Sequence, residues 1–185
     1  MTHEILFAGF GGQGVLSMGM TLAYAGMLEG KEVSWMPSYG PEMRGGTANC
    51  IVIISDKNIS SPIVSQFDAV IAMNQPSLDK FEKSVKPNGI LMYDCSNVII
   101  PHSRTDLTVV PVPLELEVMK LKNSKVKNMI MLGAFLSVCQ VARVSSVMNA
   151  LTHVLPERYH HLLDVNRKAL EQGKRLVIEA ATPLA

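Results

Sequence analysis

Residues 5–28 read ILFAGFGGQGVLSMGMTLAYAGML, and this stretch decides the fold class. Ile5 to Ala8 is a short apolar run that stops at Gly9, the pattern of a strand buried in a parallel sheet. Gly9-Phe10-Gly11-Gly12-Gln13-Gly14 follows at once and satisfies GxGxxG. Its glycines have three physical tasks there: a tight turn, close approach of a ligand to the backbone, and close contact between helix and strand. From Val15 to Leu28 the residues are apolar or small nearly all round, thinned on one side by Ser17, Gly19, Ala23, Ala25 and Gly26, as in a helix pressed against a sheet. Gly30 is a natural stop for that helix. Strand, glycine turn and helix in this order turn free helix amides towards an anion, so a phosphate or carboxylate site is expected here. Glycines used for packing alone are the plainer alternative.

Outward from this unit, Val33 to Met36, Ala48 to Ile54, Asp68 to Met73, Ile90 to Tyr93 and Leu107 to Val112 read as further strands. Leu78, Phe81 and Val85 recur at helical spacing before a Pro87-Asn88-Gly89 turn. After Pro113 the character changes: Leu114 to Leu121, Asn128 to Val141, Ser145 to Leu155 and Glu157 to Gln172 all read as helices. The expected fold is α/β: a Rossmann-like open, largely parallel sheet with helices on both faces and a helical C-terminal third. One domain over residues 1–185 is expected, because a chain of this length buries roughly two-thirds of its unfolded surface around one core.

Hydrophobic residues make up 48% of the chain and charged ones 18%, a thin polar exterior that burial against partner chains would explain. Seventeen basic and 16 acidic residues leave a formal charge of +1, too weak a field to gather nucleic acid or an anionic membrane. Cys50, Cys95 and Cys139 are far apart and lack any CxxC or Cys/His spacing, so they read as thiols of a reducing compartment, and neither an iron–sulfur cluster nor a structural zinc is expected in this chain. His153, His160 and His161 have no carboxylate or cysteine partners at ligand spacing. No apolar stretch is long enough to span a bilayer and no cleavable leader is evident, so the expected location is the cytoplasm.

Residues 36–47, MPSYGPEMRGGT, form a connection whose length implies a function. Two prolines stiffen it, and Ser38, Tyr39, Glu42 and Arg44 offer directed polar groups. The loop leaves the carboxyl end of the second strand, so it is expected to border the same crevice as the glycine turn. Arg44 beside Gly45 and Gly46 suits bidentate capture of a phosphate or carboxylate, and an Arg44–Glu42 pair that fixes the loop is the bland alternative. Tyr39 is the aromatic expected to stack on a ligand base, with loop packing the alternative. A nicotinamide dinucleotide site would add an acidic residue at the end of the second strand, but that strand ends in Trp35, Met36 and Pro37, with Glu32 at its beginning instead.

Gly11 to Gly14, the Pro37 to Gly46 loop, and Asn128-Met129-Ile130-Met131-Leu132-Gly133-Ala134 together resemble the gamma subunits of 2-oxoacid:ferredoxin oxidoreductases. The resemblance implies a complex that decarboxylates a 2-oxoacid and releases an acyl-coenzyme A, with ferredoxin as electron acceptor. Coenzyme A would be a co-substrate. Thiamine diphosphate, magnesium and iron–sulfur clusters would lie on partner subunits only, namely thiamine-binding alpha and beta subunits and a ferredoxin-like subunit. A homodimer is one option for the isolated chain. Carried over by position, the expected ligand residues are Gly11, Gly12, Gln13, Gly14, Ser38, Tyr39, Gly40, Arg44, Gly45 and Gly46. The loop wording resembles 2-oxoglutarate or branched-chain members more than pyruvate ones. The chain has neither cluster cysteines nor an acidic diphosphate motif, so it is not catalytic alone.

Lys120, Lys122, Lys125 and Lys127 precede the helix beginning near Asn128 and read either as a solvated helix end or as contacts to phosphate. Asn128 is expected to cap that helix. Two other readings of the whole chain stay open: a structural adaptor with an empty crevice, and a subunit of an indolepyruvate-type oxidoreductase.

Overall fold

The computed structural model describes residues 1–39, 46–100 and 102–181. Among the described residues six strands and six α-helices run in the order β1 (Thr2–Phe10), α1 (Val15–Leu28), β2 (Glu32–Tyr39), β3 (Thr47–Ser55), β4 (Phe67–Ala72), α2 (Gln75–Phe81), β5 (Val85–Asp94), β6 (Thr108–Val112), α3 (Leu114–Leu121), α4 (Lys127–Val138), α5 (Val144–Val154) and α6 (Leu163–Ala181). The strands form one sheet in the order β2-β3-β1-β4-β5-β6. β1, β4, β5 and β6 pair in parallel, whereas β3 runs antiparallel to both β1 and β2, so the sheet is mixed.

The reversed strand has a simple cause. Met36 to Tyr39, read from sequence as the start of a loop, continue β2 opposite Ile51, Cys50, Asn49 and Ala48. That leaves residues 40–46 as the connection to β3, too short for the helical crossover that a parallel neighbour demands. β2 therefore returns as a hairpin, and Pro37 is tolerated because β2 is an edge strand. Pro87 and Gly89 likewise fall inside an irregular start of β5, where the pairing register shifts between Phe67 and Ala69.

The period-2 alternation of the strands divides two cores. On one face Ile5, Phe7, Val52, Ile54, Ile71 and Met92 pack with Met18 and Leu22 of α1 and with the almost wholly apolar α4. Phe7 meets Phe135 edge-on, with ring centroids 6.1 Å apart. On the other face Leu6, Phe67, Val70 and Leu91 pack with Leu78 of α2. α5 packs on α1, and α6 lies along α4. There Gly133 and Gly173 let the helices touch backbone to backbone: a Cβ on Gly173 would overlap the Ile130 carbonyl, and one on Gly133 the Leu170 carbonyl. Met129, Met131 and Leu132 are core residues. Among the described residues no helix is long and apolar enough to cross a membrane.

Candidate functional site

The β1–α1 turn is held from three sides. Gly11 donates its amide to the carbonyl of Gly46 at 2.9 Å, which joins the turn to the point where the chain enters β3. Gln13 folds its side chain back: its Oε1 accepts from the Phe10 amide at 2.7 Å and from Asn74 Nδ2 at 2.9 Å. Its Nε2 donates to the Met73 carbonyl at 3.1 Å. Both ends of the Gln13 amide are thus occupied by protein, and the side chain shapes the turn while only its outer surface is left for a ligand. Asn74 completes the relay, because its Oδ1 caps α2 by accepting from the Ser77 amide.

Two turn residues take backbone angles that favour glycine. Gly14, at the start of α1, has φ 74°, and Gly12 has φ 95°. They differ in surroundings. A Cβ on Gly12 would meet nothing within 4 Å, so this glycine faces open space. A Cβ on Gly14 would lie 2.7 Å from Asn128 Nδ2 and 3.0 Å from Asn128 Cβ. The close approach joins the first turn of α1 to the first turn of α4, across more than a hundred residues of sequence.

Between these helix ends lies a cavity of about 250 Å³ lined by Gly12, Gln13, Gly14 and Met73 on one side and by Ser124, Lys125, Lys127 and Asn128 on the other. A second cavity of about 160 Å³ shares Lys125 and Asn128 and continues inwards between Met129, Leu151, Leu155 and Leu162. Lys125 is exposed, and Lys127 pairs with Glu115 of α3. No carboxylate lines the first cavity among the described residues. The exposed Lys125 ammonium, an outward-facing glycine and the N-terminus of α1 together make a notch that attracts an anion, while the charge of Lys127 is offset by Glu115.

Of the residues expected from the sequence, Gly11, Gly12, Gln13, Gly14 and Gly46 come together at this edge. Ser38 is exposed near the end of β2, opposite Asn49, and Tyr39 closes the strand opposite Ala48, its side chain outside the description. Gly40, Arg44 and Gly45 lie outside the described residues, as does Glu42. Glu32 pairs with Ser55 at the far end of β3, across the sheet from the glycine turn, so it cannot hold a ribose there. Asn128 does not cap α4, as was expected: Val126 occupies that position. Its Oδ1 accepts from the Met129 amide at 3.0 Å, and its Nδ2 reaches the Gly14 carbonyl at 3.5 Å. The reason is that a lysine-bearing turn at Ser124–Val126 runs straight into α4 and puts Asn128 inside the helix. Asn74 and Met73 were not anticipated, since no periodicity couples them to residue 13.

Residues 4–176 match the family described as pyruvate ferredoxin/flavodoxin oxidoreductase. The chain belongs to that family. It is similar to the ketoisovalerate oxidoreductase subunit VorA of Methanothermobacter marburgensis, 39% identical over 171 residues, which are 92% of this chain and 35% of that relative. The chain thus spans about a third of the length of this curated relative. Among solved structures, a keto/oxoacid ferredoxin oxidoreductase gamma subunit from Geobacter sulfurreducens superposes with a TM-score of 0.80 at 29% identity, over 96% of this chain and 99% of the other. The 2-oxoglutarate:ferredoxin oxidoreductase of Magnetococcus marinus, determined with 2-oxoglutarate, coenzyme A and succinyl-CoA bound, superposes with a TM-score of 0.88 at 25% identity, over 99% of this chain and 32% of the other. The family member is thus of the gamma type, and its sheet and helical C-terminal part are those of a gamma subunit.

Proposed function

We propose that this chain serves as the gamma subunit of a 2-oxoacid:ferredoxin oxidoreductase and contributes the anion notch to coenzyme A binding. The observation that carries the reading is the meeting of Gly12 and Gly14 with Lys125, Lys127 and Asn128 around one cavity. It is supported by the bound coenzyme A of the 2-oxoglutarate enzyme, whose fold this chain follows over nearly its whole length. In this reading, residues 1–185 act as one gamma-type domain. Lys125 neutralises phosphate oxygens, Lys127 lines the notch while paired with Glu115, Gly12 lets the ligand approach the backbone, and Gln13 keeps the turn rigid. Ser38, Tyr39 and Gly46, together with Gly40, Arg44 and Gly45, which lie outside the described residues, are the further residues assigned to the ligand.

The thiamine centre, its magnesium, the clusters and the ferredoxin acceptor belong to the partner chains, and the substrate is 2-oxoglutarate or a branched-chain 2-oxoacid. Two named relatives, one for ketoisovalerate and one for 2-oxoglutarate, support that range.

The test uses the assembled, co-purified complex, a panel of 2-oxoacids and a viologen acceptor. Lys125→Ala and Arg44→Ala should each raise the KM for coenzyme A. A charge-assisted hydrogen bond contributes about 1.5–3 kcal/mol, so the rise should be roughly 10- to 100-fold. Acceptor reduction in the half-reaction without coenzyme A should be preserved. Unchanged coenzyme A kinetics in both variants would favour the adaptor reading.

A further inference from the structure

The notch does not end at Lys125 and Asn128. Both residues also line the second cavity, of about 160 Å³, which runs inwards between Leu151 of α5, Leu155 at the end of that helix and Leu162 of the turn at Glu157–Leu162. The wall there is aliphatic. Asn166 of α6, with Ser17 and Asn123, supplies the polar part of the lining. Asn166 is only 7% exposed, and its Nδ2 donates to the Leu162 carbonyl at 2.9 Å. Its Oδ1 accepts from no donor among the described residues, yet that oxygen is not sealed off, so it opens on the cavity that Asn166 lines. A secluded acceptor without a partner is costly until a donor meets it, and an aliphatic wall is stabilised when an apolar group displaces water from it.

These surroundings select a ligand group by three properties. It is joined to an anion, because the cavity opens beside the exposed Lys125, which it shares with the notch. It is short and aliphatic: a water-sized or methyl-sized group takes up roughly 30 Å³, so the cavity holds about five of them. It carries a hydroxyl or N–H donor for Asn166.

We propose that this cavity seats the pantoyl segment of coenzyme A, the branched unit joined through one methylene to the diphosphate. With the diphosphate at Lys125, the paired methyl groups of that segment face Leu151, Leu155 and Leu162, and its adjacent hydroxyl donates to Asn166 Oδ1. Adenine meets these conditions less well, because its ring system is larger and a ribose separates it from the phosphate. The inference rests on the coenzyme A reading above and adds which part of that molecule Leu155 and Asn166 recognise.

The assembled complex is assayed with its 2-oxoacid and a viologen acceptor, using coenzyme A and an analogue whose pantoyl methyl groups are replaced by hydrogen. With the wild type the analogue should show a KM roughly 5- to 20-fold above that of coenzyme A at similar kcat, the loss expected for two buried methyl groups. Leu155→Phe, which fills the cavity with an apolar side chain, should raise the KM for coenzyme A and abolish the difference between the two ligands. Should that variant fail to assemble, Leu155→Ala, which removes contacts made by a half-buried side chain, takes its place and should shrink the difference. Equal KM values for the two ligands with the wild type, or a methyl preference undiminished by the change at Leu155, would overturn the proposal. Lys125→Ala separates this inference from the reading beneath it. If Lys125→Ala raises the KM for coenzyme A while the methyl preference ignores Leu155, the pantoyl seat alone fails; if Lys125→Ala and Arg44→Ala both leave that KM unchanged, the ligand reading fails as a whole.

Discussion

Alanine at Gly14 and alanine at Gly12 should behave differently, although both glycines belong to one turn and both have positive φ. An L-residue held in the left-handed region costs about 1–2 kcal/mol, and this applies at both positions. At Gly12 nothing else is added, because the new Cβ meets no atom within 4 Å. At Gly14 the Cβ arrives 2.7 Å from Asn128 Nδ2, 2.9 Å from Cγ and 3.0 Å from Cβ, so the whole Asn128 side chain must turn away. That movement gives up its contacts to the Gly14 carbonyl and the Met129 amide, each worth roughly 0.5–1.5 kcal/mol. Gly14→Ala should therefore cost about 2–5 kcal/mol and lower Tm by roughly 4–20 °C, against a few degrees for Gly12→Ala. Differential scanning calorimetry of the purified chain measures both. Asn128→Ala by itself gives up the same two contacts, so placed on top of Gly14→Ala it should add little further cost, a non-additivity of about 1–3 kcal/mol that a double-mutant cycle reads directly. On the proposed coenzyme A role, titration of the complex should show the larger loss of affinity for Gly12→Ala, because its Cβ would project into the open side of the notch. Equal Tm losses at the two glycines, with the cost of Asn128→Ala fully additive to that of Gly14→Ala, would refute the reasoning.

Gly173→Ala should be among the most destabilising single-methyl additions in the chain, more than about 3 kcal/mol by urea unfolding, since its Cβ would drive α6 off the Ile130 carbonyl. Burial opposes the charge of Glu82, but bonds from Ser103 and the Arg104 amide outweigh it and hold the carboxyl below its usual value. Its contribution to stability is therefore complete above the ordinary carboxylate pKa near 4.5 and lost as the pH falls through the lowered folded value, so urea midpoints of wild type should drop more steeply below that pH than those of Glu82→Gln. Desolvation pushes the Cys50 thiol up to about 12 and that of Cys139 to about 11, so in the native chain iodoacetamide at pH 8 should alkylate the exposed Cys95 first, and mass spectrometry should find Cys50 modified only after unfolding.

Local chemistry wrote much of this protein into its sequence. The limits of α1 and α3 follow from glycine and proline punctuation and from apolar spacing, and the strand–turn–helix unit around Gly11 to Gly14 could be read because each of its signals acts within a few residues. The reversed direction of β3 was hidden for the opposite reason. It depends on how far β2 extends past Pro37, and that extension is bought by pairing with residues 48–51, which lie across the hairpin. Lys125 and Lys127 could be seen as a basic cluster, but their partners could not, because Gly14 and Asn128 meet only after the sheet has brought α1 and α4 side by side. The same holds for Gln13 with Asn74. Hydrogen bonds and steric contacts act over a few ångströms, so residues far apart in the chain gain a shared role only through the packing of the helices on the sheet.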